Sequence, residues 1–178
     1  MVRRKPIKLD LAAGQSPRDG YTGVDIWPGA EIVHDLDEYP WPWDDRSVDA
    51  VHCSHYVEHI GYDRGRDLTA FMDEVWRICR PDATVEIRHP NLQNERAFQD
   101  PYHRRYIPAV TWCYFNTDWR KANGLDHYPI HANFEIITVS YEGIDPDTNL
   151  RAQEVQIDRL KRNWHEAADT VVILKALK

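Results

Sequence analysis

Four short stretches near the start of the chain decide the fold: Lys8-Leu-Asp-Leu-Ala-Ala-Gly14, Val24-Asp25, His34-Asp35-Leu36 and Val48-Asp-Ala-Val-His52. Apolar residues in the first three run directly into a small or an acidic residue. In an open α/β sheet, ligands bind in the crevice outside the carboxyl ends of the strands. Glycine there lets the backbone approach a ligand, and a carboxylate there accepts hydrogen bonds from ribose hydroxyls. The pattern therefore indicates a bound nucleoside.

Length and composition predict one globular domain. The 178 residues suffice for a single core, and the content of 42% hydrophobic and 29% charged residues is typical of a soluble protein. No apolar run approaches the roughly 20 residues of a membrane-spanning helix, and no apolar signal core follows the basic N-terminus. Three cysteines without C-x-x-C spacing indicate reduced thiols. We therefore expect a cytoplasmic protein.

The charge of the chain bears on its partners. Proteins that hold nucleic acid through its phosphates present a basic face, whereas this chain has a net charge of −7. The sequence therefore favours a small molecule as partner, with a protein second and a nucleic acid last. It leaves the oligomeric state open.

Strand-like and helix-like segments alternate, which predicts a mostly parallel α/β sheet with helices on both faces and an antiparallel edge strand. The clearest helix is 67–80, where apolar residues recur at three- and four-residue spacing until Pro81. Two further helical segments are predicted over 54–60 and from about 150 to 167. The predicted strands span 7–11, 21–26, 31–35, 48–53, 84–88, 134–144 and 170–176.

Two segments depart from a regular α/β pattern. Nine residues run from Ala12 to Gly20, whereas a parallel crossover normally needs a dozen or more, so we expect the first crossover helix to be shortened or missing. The segment 91–131 shows no clean period and carries eight aromatic residues. It is interpreted either as a lid or acceptor wall over a binding site, or as a satellite core under a long loop. We take 1–178 as one domain with 91–131 inserted on the acceptor side.

In chain order the motifs resemble the class I S-adenosylmethionine-dependent methyltransferases, in particular their small type 11-like group. The resemblance implies a Rossmann-like sheet in the order 3-2-1-4-5-7-6. It also implies S-adenosylmethionine as cofactor and S-adenosylhomocysteine as product. The matching stretches are the Gly motif 9–14, the second-strand acid motif 24–26, the adenine-flanking pair in 34–36, the loop 41–49, the S-H-x-x-E-H box 54–59 and the helix and turn 71–81.

The resemblance assigns the cofactor to strand-end residues. Asp25 would hold the ribose, Asp35 with Leu36 the adenine, and the turn after the first strand the methionine end. The family commonly has glycine at the position of Ala12. Because only a positive φ strongly requires glycine, the alanine in this chain leads us to expect a negative φ there. The cofactor-binding set is Asp10, Leu11, Ala12, Ala13, Gly14, Asp25, Ile26, Asp35, Leu36, Cys53 and Ser54.

The box His55-Tyr-Val-Glu58-His59 supports two hypotheses. In a methyltransferase, His55, Glu58 or His59 would orient or deprotonate an oxygen or nitrogen acceptor. Alternatively, H-x-x-E-H on a helix is a zinc hydrolase pattern, but a third ligand is then needed. We favour the methyltransferase and assign no metal. A non-catalytic cofactor-binding protein is the remaining alternative. The loose candidates for the third zinc ligand are Glu135, Glu142 and Glu154.

Overall fold

The sheet has seven strands in the predicted order. The computed structural model describes residues 4–63 and 65–178, and in it the strands run β3-β2-β1-β4-β5-β7-β6. Neighbours among β1 to β5 are parallel, and β7 is antiparallel to both β5 and the outermost strand β6. The antiparallel pairings therefore lie at one edge, as predicted. The strands are β1 Lys8–Leu11, β2 Thr22–Asp25, β3 Ile32–Val33, β4 Val48–Ser54, β5 Cys79–Pro90, β6 Phe134–Glu142 and β7 Asp169–Ala176.

The helices differ in position and length from those that the sequence predicts. The segment 54–60, predicted as helical, forms a turn beyond β4. Within the predicted helix 150–167, only Gln153–Arg162 is helical, and a further short helix precedes it at Pro146–Asn149. The described residues contain no helix long and apolar enough to cross a membrane. The helices are α1 Leu68–Ile78, α2 Thr117–Ala122, α3 Pro146–Asn149 and α4 Gln153–Arg162.

Helix α1 supplies the main apolar layer over the sheet. Asp67 caps its N-terminus by accepting hydrogen bonds from the amides of Thr69 and Ala70. Its buried face includes Phe71 and Val75, both fully buried, and burial of such side chains is worth about 1.5–3 kcal/mol each. The helix ends at Ile78, before the predicted end at residue 80, because the next residue already pairs with β4 as part of β5.

No helix connects β1 to β2, as expected from the short spacing. The loop 12–21 instead folds back over β2, where Pro17 lies so close to Gly23 that a Cβ on this glycine would come within 2.9 Å of it. Two strand-end carboxylates fix the loop. Asp10 accepts a hydrogen bond from the amide of Arg18 at 2.7 Å, and Asp25 accepts one from the amide of Gly14 at 2.8 Å.

The connection from β3 to β4, residues 34–47, also contains no helix, and a buried tryptophan anchors it to α1. The Trp41 side chain is 2% exposed, and its indole N–H donates to the carbonyl of Leu36 at 3.1 Å. Its amide donates to the carboxylate of Glu74 at 2.6 Å. Arg77 pairs with the same carboxylate and donates to the carbonyls of Trp41 and Trp43. The loop is therefore fixed by a buried ion pair on the helix.

The face of the sheet that bears Asp10 and Gly23 is polar. Parallel sheets usually have both faces covered by apolar helices, but here alternate positions of the central strands carry charges. His52 on β4 bonds to Asp10 at 2.6 Å, and Arg18 from the loop pairs with Glu86 on β5 at 2.9 Å. Paired charges thus take the place that apolar side chains occupy on the other face.

The segment 91–131 divides into a buried and an exposed part. Its 3-10 helix Ala109–Phe115 buries Trp112, whose indole N–H donates to Nε2 of His89 at 3.3 Å. Tyr102 and Tyr106, by contrast, are exposed. The buried aromatics extend the core, and the role of the exposed ones as a lid stays a prediction.

The turn after β1 contains one non-glycine residue, Ala12, in a backbone conformation that glycine prefers. Ala12 has φ of 56°, so the expected negative value is wrong. The turn must reverse the chain so that the Ala13 amide reaches the carbonyl of Val24 at 3.2 Å. Gly14 has a similar φ of 57°, and a Cβ there would meet no atom within 4 Å.

We predict that Ala12→Gly raises the melting temperature. The left-handed conformation destabilises an L residue by about 1–2 kcal/mol, and glycine removes this strain. Glycine also gives the unfolded chain more conformational entropy, which lowers the stability of the folded state by about 0.4–1 kcal/mol. The net gain of about 0.5–1 kcal/mol corresponds to roughly 1–4 °C. Thermal unfolding followed by circular dichroism measures it.

The matched variant Gly14→Ala should lower the melting temperature by a similar amount, because its only cost is backbone strain. A lower melting temperature for Ala12→Gly would mean that the strain at this turn does not limit stability.

Candidate active site

A cavity of 240 Å³ opens at the carboxyl ends of β2 and β3. Its walls combine apolar groups with acids, which suits a flat apolar base joined to a hydroxylated sugar. Five of the predicted cofactor residues line it: Ala12, Asp25, Ile26, Asp35 and Leu36 lie together with His34, Asp37 and Tyr56.

The acids of this cavity also fix the loops around it. Asp25 accepts the Gly14 amide on one carboxylate oxygen and the Trp27 amide on the other, both at 2.8 Å. Asp35 accepts the Asp37 amide at 2.9 Å. A carboxylate has about four lone-pair positions, so each acid keeps acceptor capacity toward the cavity.

A second cavity, of 370 Å³, adjoins the first at Ala12. Asp10 and Arg18 line it with opposite charges, and Ser54 closes it at the end of β4. Asp10 is 4% exposed, and its carboxylate is occupied by the Arg18 amide and by His52. The other lining residues are Ala13, Ser16 and His52.

Not every residue of the predicted cofactor set faces a cavity. The side chains of Leu11 and Cys53 are buried in the core, at 0% and 1% exposed. Burial raises the pKa of the Cys53 thiol. These two residues therefore belong to the core, whereas Gly14 contributes its amide to the loop.

A histidine between two carboxylates lies next to the second cavity. His55 follows Ser54 in a strained conformation with φ of 55°. Its Nδ1 is 3.2 Å from Oε1 of Glu58, and its Nε2 is 3.5 Å from Oδ2 of Asp169 at the start of β7. Non-glycine residues with positive φ cluster at functional sites. The sequence analysis missed Asp169, because only the antiparallel insertion of β7 beside β5 brings it to this edge.

The two carboxylates change the protonation of His55. Hydrogen bonds to Asp169 and then to Glu58 raise the pKa of His55 to about 9, against the opposing effect of burial. Burial raises the pKa of Asp169, but its hydrogen bond to His55 together with the positive charges of His55, Arg96 and Arg88 outweighs this, and the net pKa is lowered. His55 is therefore an imidazolium at neutral pH, which donates hydrogen bonds and does not act as a base.

The geometry also differs from what the zinc hydrolase hypothesis requires. His55 and His59 lie in a turn and do not share a helix face. Because both ring nitrogens of His55 face carboxylates, His55 is not placed as a partner of His59 on one metal. The predicted H-x-x-E-H zinc site is therefore not formed.

Comparison with known proteins confirms the resemblance found in the sequence. Residues 9–87 match the family described as a methyltransferase domain. This stretch contains β1 to β4, α1 and most of β5, and so includes both cavities. No curated protein matches the chain.

Solved structures show the same fold over the whole chain. An S-adenosylmethionine-dependent methyltransferase from Archaeoglobus fulgidus superposes with a TM-score of 0.66 at 20% identity, covering 96% of this chain and 86% of that one. One from Mesorhizobium loti gives 0.54 at 14% identity, covering 95% and 90%. A complex between the Haloferax volcanii Trm112 methyltransferase activator and a protein described as a methyltransferase gives 0.55 at 14% identity, covering 97% and 83%.

The state of His55 predicts a pH dependence of stability. Its pKa rises from 6.5 to about 9 on folding, so its contribution is fully present below pH 6.5 and is lost as the pH rises through 9. The wild type should therefore lose more stability between these values than His55→Gln does. Because the side chain is 37% exposed, solvent screening reduces the difference to a few degrees in melting temperature.

Parallel thermal unfolding curves of both proteins from pH 6 to 10 measure this difference. Identical pH profiles for the two proteins would show that His55 does not titrate in this range. Other titrating groups are common to both proteins and cancel in the comparison.

Proposed function

We propose that this chain methylates an oxygen or nitrogen of a small molecule, because residues 9–87 match the methyltransferase domain family and the chain has the class I S-adenosylmethionine-dependent methyltransferase fold. The observation that carries the proposal is the pair of adjoining cavities at the carboxyl edge, lined by acids, with the His55 cluster beside them. S-adenosylmethionine is the cofactor that this family and fold imply.

The residues around the first cavity fit the nucleoside of that cofactor. Asp25 would accept the ribose hydroxyls, and Asp35 would accept from the adenine amino group while Ile26 and Leu36 contact the ring. Nε2 of His34 is buried at this cavity without a hydrogen-bond partner among residues 4–63 and 65–178. Such a buried group is costly unless a ligand or water satisfies it, which also favours a polar ligand here.

The second cavity fits the amino-acid end. The carboxylate of Asp10 and the guanidinium of Arg18 line it, and their charges are complementary to an ammonium and a carboxylate. The turn 12–14 and the backbone at Cys53 and Ser54 complete this subsite. The two cavities adjoin at Ala12, so one extended ligand occupies both.

The cofactor supplies an activated methyl group, so the protein's contribution is mainly to position the acceptor. We place the acceptor at His55, Glu58 and His59, beyond Ser54. The His55 imidazolium would donate a hydrogen bond that orients an acceptor oxygen or nitrogen. Glu58 or His59 would take the proton that the acceptor loses, because the pKa of His55 keeps it protonated at neutral pH.

The segment 91–131 is proposed as the acceptor wall. It begins directly after β5, and Arg96 reaches back to Asp169, with 3.6 Å between guanidinium and carboxylate. The exposed rings of Phe98 and Tyr106 stack on each other at 4.5 Å. A negatively charged chain with an aromatic wall favours a small aromatic or apolar acceptor over a nucleic acid.

We predict that Asp25→Ala weakens binding of S-adenosylhomocysteine about 10- to 100-fold, since a hydrogen bond to a charged group contributes about 1.5–3 kcal/mol. Isothermal titration calorimetry measures the loss. Because Asp25 also fixes the amides of Gly14 and Trp27, the 2′,3′-dideoxy analogue of the ligand is titrated as well. If the contact is to the ribose, the analogue binds both proteins alike.

Glu38→Ala is the matched control, because Glu38 is an exposed acid near the first cavity that does not line it. It should leave binding unchanged. Absence of binding by the wild type at millimolar ligand would reject the proposed function. Equal losses for ligand and analogue would reject the ribose contact alone. With binding established, incubation of a small-molecule extract with trideuteromethyl cofactor identifies the acceptor by its mass increment.

A further inference from the structure

Three side chains that could ligate a metal converge where the 91–131 segment contacts the turn after β4. Glu58, His59 and His103 each offer one donor atom, and these atoms lie within 4.8 Å of one another. We propose that they form a binding site for a first-row divalent cation of the zinc type. The site differs from the one that the sequence pattern suggests, because His103 replaces His55. It shares Glu58 and His59 with the proposed acceptor position, but zinc binding is tested without methyl transfer.

Glu58 gives the clearest indication of a missing ligand. The residue is 2% exposed, and its Oε1 pairs with Nδ1 of His55. Its Oε2 is buried without a hydrogen-bond partner among the described residues 4–63 and 65–178. A buried carboxylate oxygen with no partner carries a desolvation cost that a bound cation would offset.

His103 is placed against Glu58 by the backbone. The carbonyl of Glu58 accepts hydrogen bonds from the amides of Arg104 at 2.7 Å and Arg105 at 2.9 Å. The guanidinium of Arg105 also donates to the carbonyls of Ile60 and Gly61. The chain around His103 is therefore fixed to the turn that carries Glu58 and His59, although some 45 residues separate them in the sequence.

The ring of His103 is oriented as a metal ligand requires. Its Nδ1 donates to the carbonyl of Ala97 at 2.9 Å, so Nε2 is the ring nitrogen that would bind a metal. Histidine ligands almost always have this second hydrogen bond to a carbonyl or carboxylate. The His103 side chain is only 7% exposed, and its ring meets that of His59 edge to face, with centroids 4.8 Å apart.

Two histidines and one carboxylate are a ligand set typical of zinc and of other first-row divalent ions. Donors around tetrahedral zinc lie about 3.4 Å apart, given bonds of roughly 2.1 Å, so binding would draw these three together by about 1 Å. The carboxylate of Asp100 is 3.9 Å from Nε2 of His103. This carboxylate or a water molecule would take the fourth position of a tetrahedral zinc ion.

Zinc titration of the untagged full chain by calorimetry tests the proposal. We expect one Zn²⁺ per chain, with affinity reduced about 100-fold or more in His103→Ala. Cobalt is the spectroscopic probe, since four-coordinate Co²⁺ absorbs strongly in the visible range, and this band should disappear in the same variant. Circular dichroism checks that His103→Ala is folded, and His103→Gln provides a second variant that preserves bulk.

His127→Ala is the control. His127 is exposed outside the cluster, so this variant should retain stoichiometric zinc. His55→Gln tests the site that the sequence pattern predicts, and it should retain zinc as well, because His55 is not among the three ligands. Absence of binding by the wild type, or equal binding by wild type and His103→Ala, would overturn the proposal. Loss of zinc in His55→Gln with retention in His103→Ala would instead restore the site predicted from the sequence pattern. Titration of S-adenosylhomocysteine into the same samples shows separately whether the cofactor site is intact.

Discussion

The hydrogen bonds from the loop 12–21 to the carboxylates of Asp10 and Asp25 are the constraint on which the rest of the structure depends. A class I sheet ordinarily relies on a crossover helix to place the turn at the end of its first strand. Here the amides of Arg18 and Gly14 bind to the two acids instead, at 2.7 and 2.8 Å. Both cavities have their walls on this loop and these acids. Ligand binding and loop structure therefore depend on the same two side chains.

The lack of a helix between β1 and β2 also explains the chemistry of the sheet faces. Where α1 packs, the strands present apolar residues such as Val85 and Ile87. On the opposite face, Glu86 and Arg88 alternate with them, paired to Arg18 and Glu142 respectively. A half-covered parallel sheet thus has the alternating pattern that is usual for antiparallel sheets with one solvated face. The same alternation places Asp10 and His52 in contact beside the second cavity.

The sequence predicts what depends on local pattern and chain order. The strands and the acids Asp25 and Asp35 at the cavity follow from short apolar runs that end in polar residues, and the strand order follows from the resemblance of the motifs to class I methyltransferases. The prediction of a helix over 54–60 is wrong because tertiary hydrogen bonds override the local preference. The His55 amide donates to the carbonyl of Arg88, and the carbonyl of Glu58 accepts from the amides of the two residues after His103. Asp169 and His103 were missed for the same reason, since sheet topology and backbone docking bring them to the site across long intervals of sequence.

Glu58 connects the two halves of the proposed site. Its Oε1 pairs with His55, and through it the cluster reaches Asp169 on β7. Its carbonyl fixes the chain after His103, Oε2 is buried without a partner among the described residues, and one oxygen of the carboxylate lies within 4.8 Å of the donor atoms of His59 and His103. The single negative charge of Glu58 cannot fully neutralise both the His55 imidazolium and a bound cation. A cation at Oε2 would therefore weaken the attraction between the Glu58 carboxylate and His55. Asp169 would then contribute more to the protonation of His55. The acceptor side of the cavity and the 91–131 segment are thus coupled electrostatically through a single side chain.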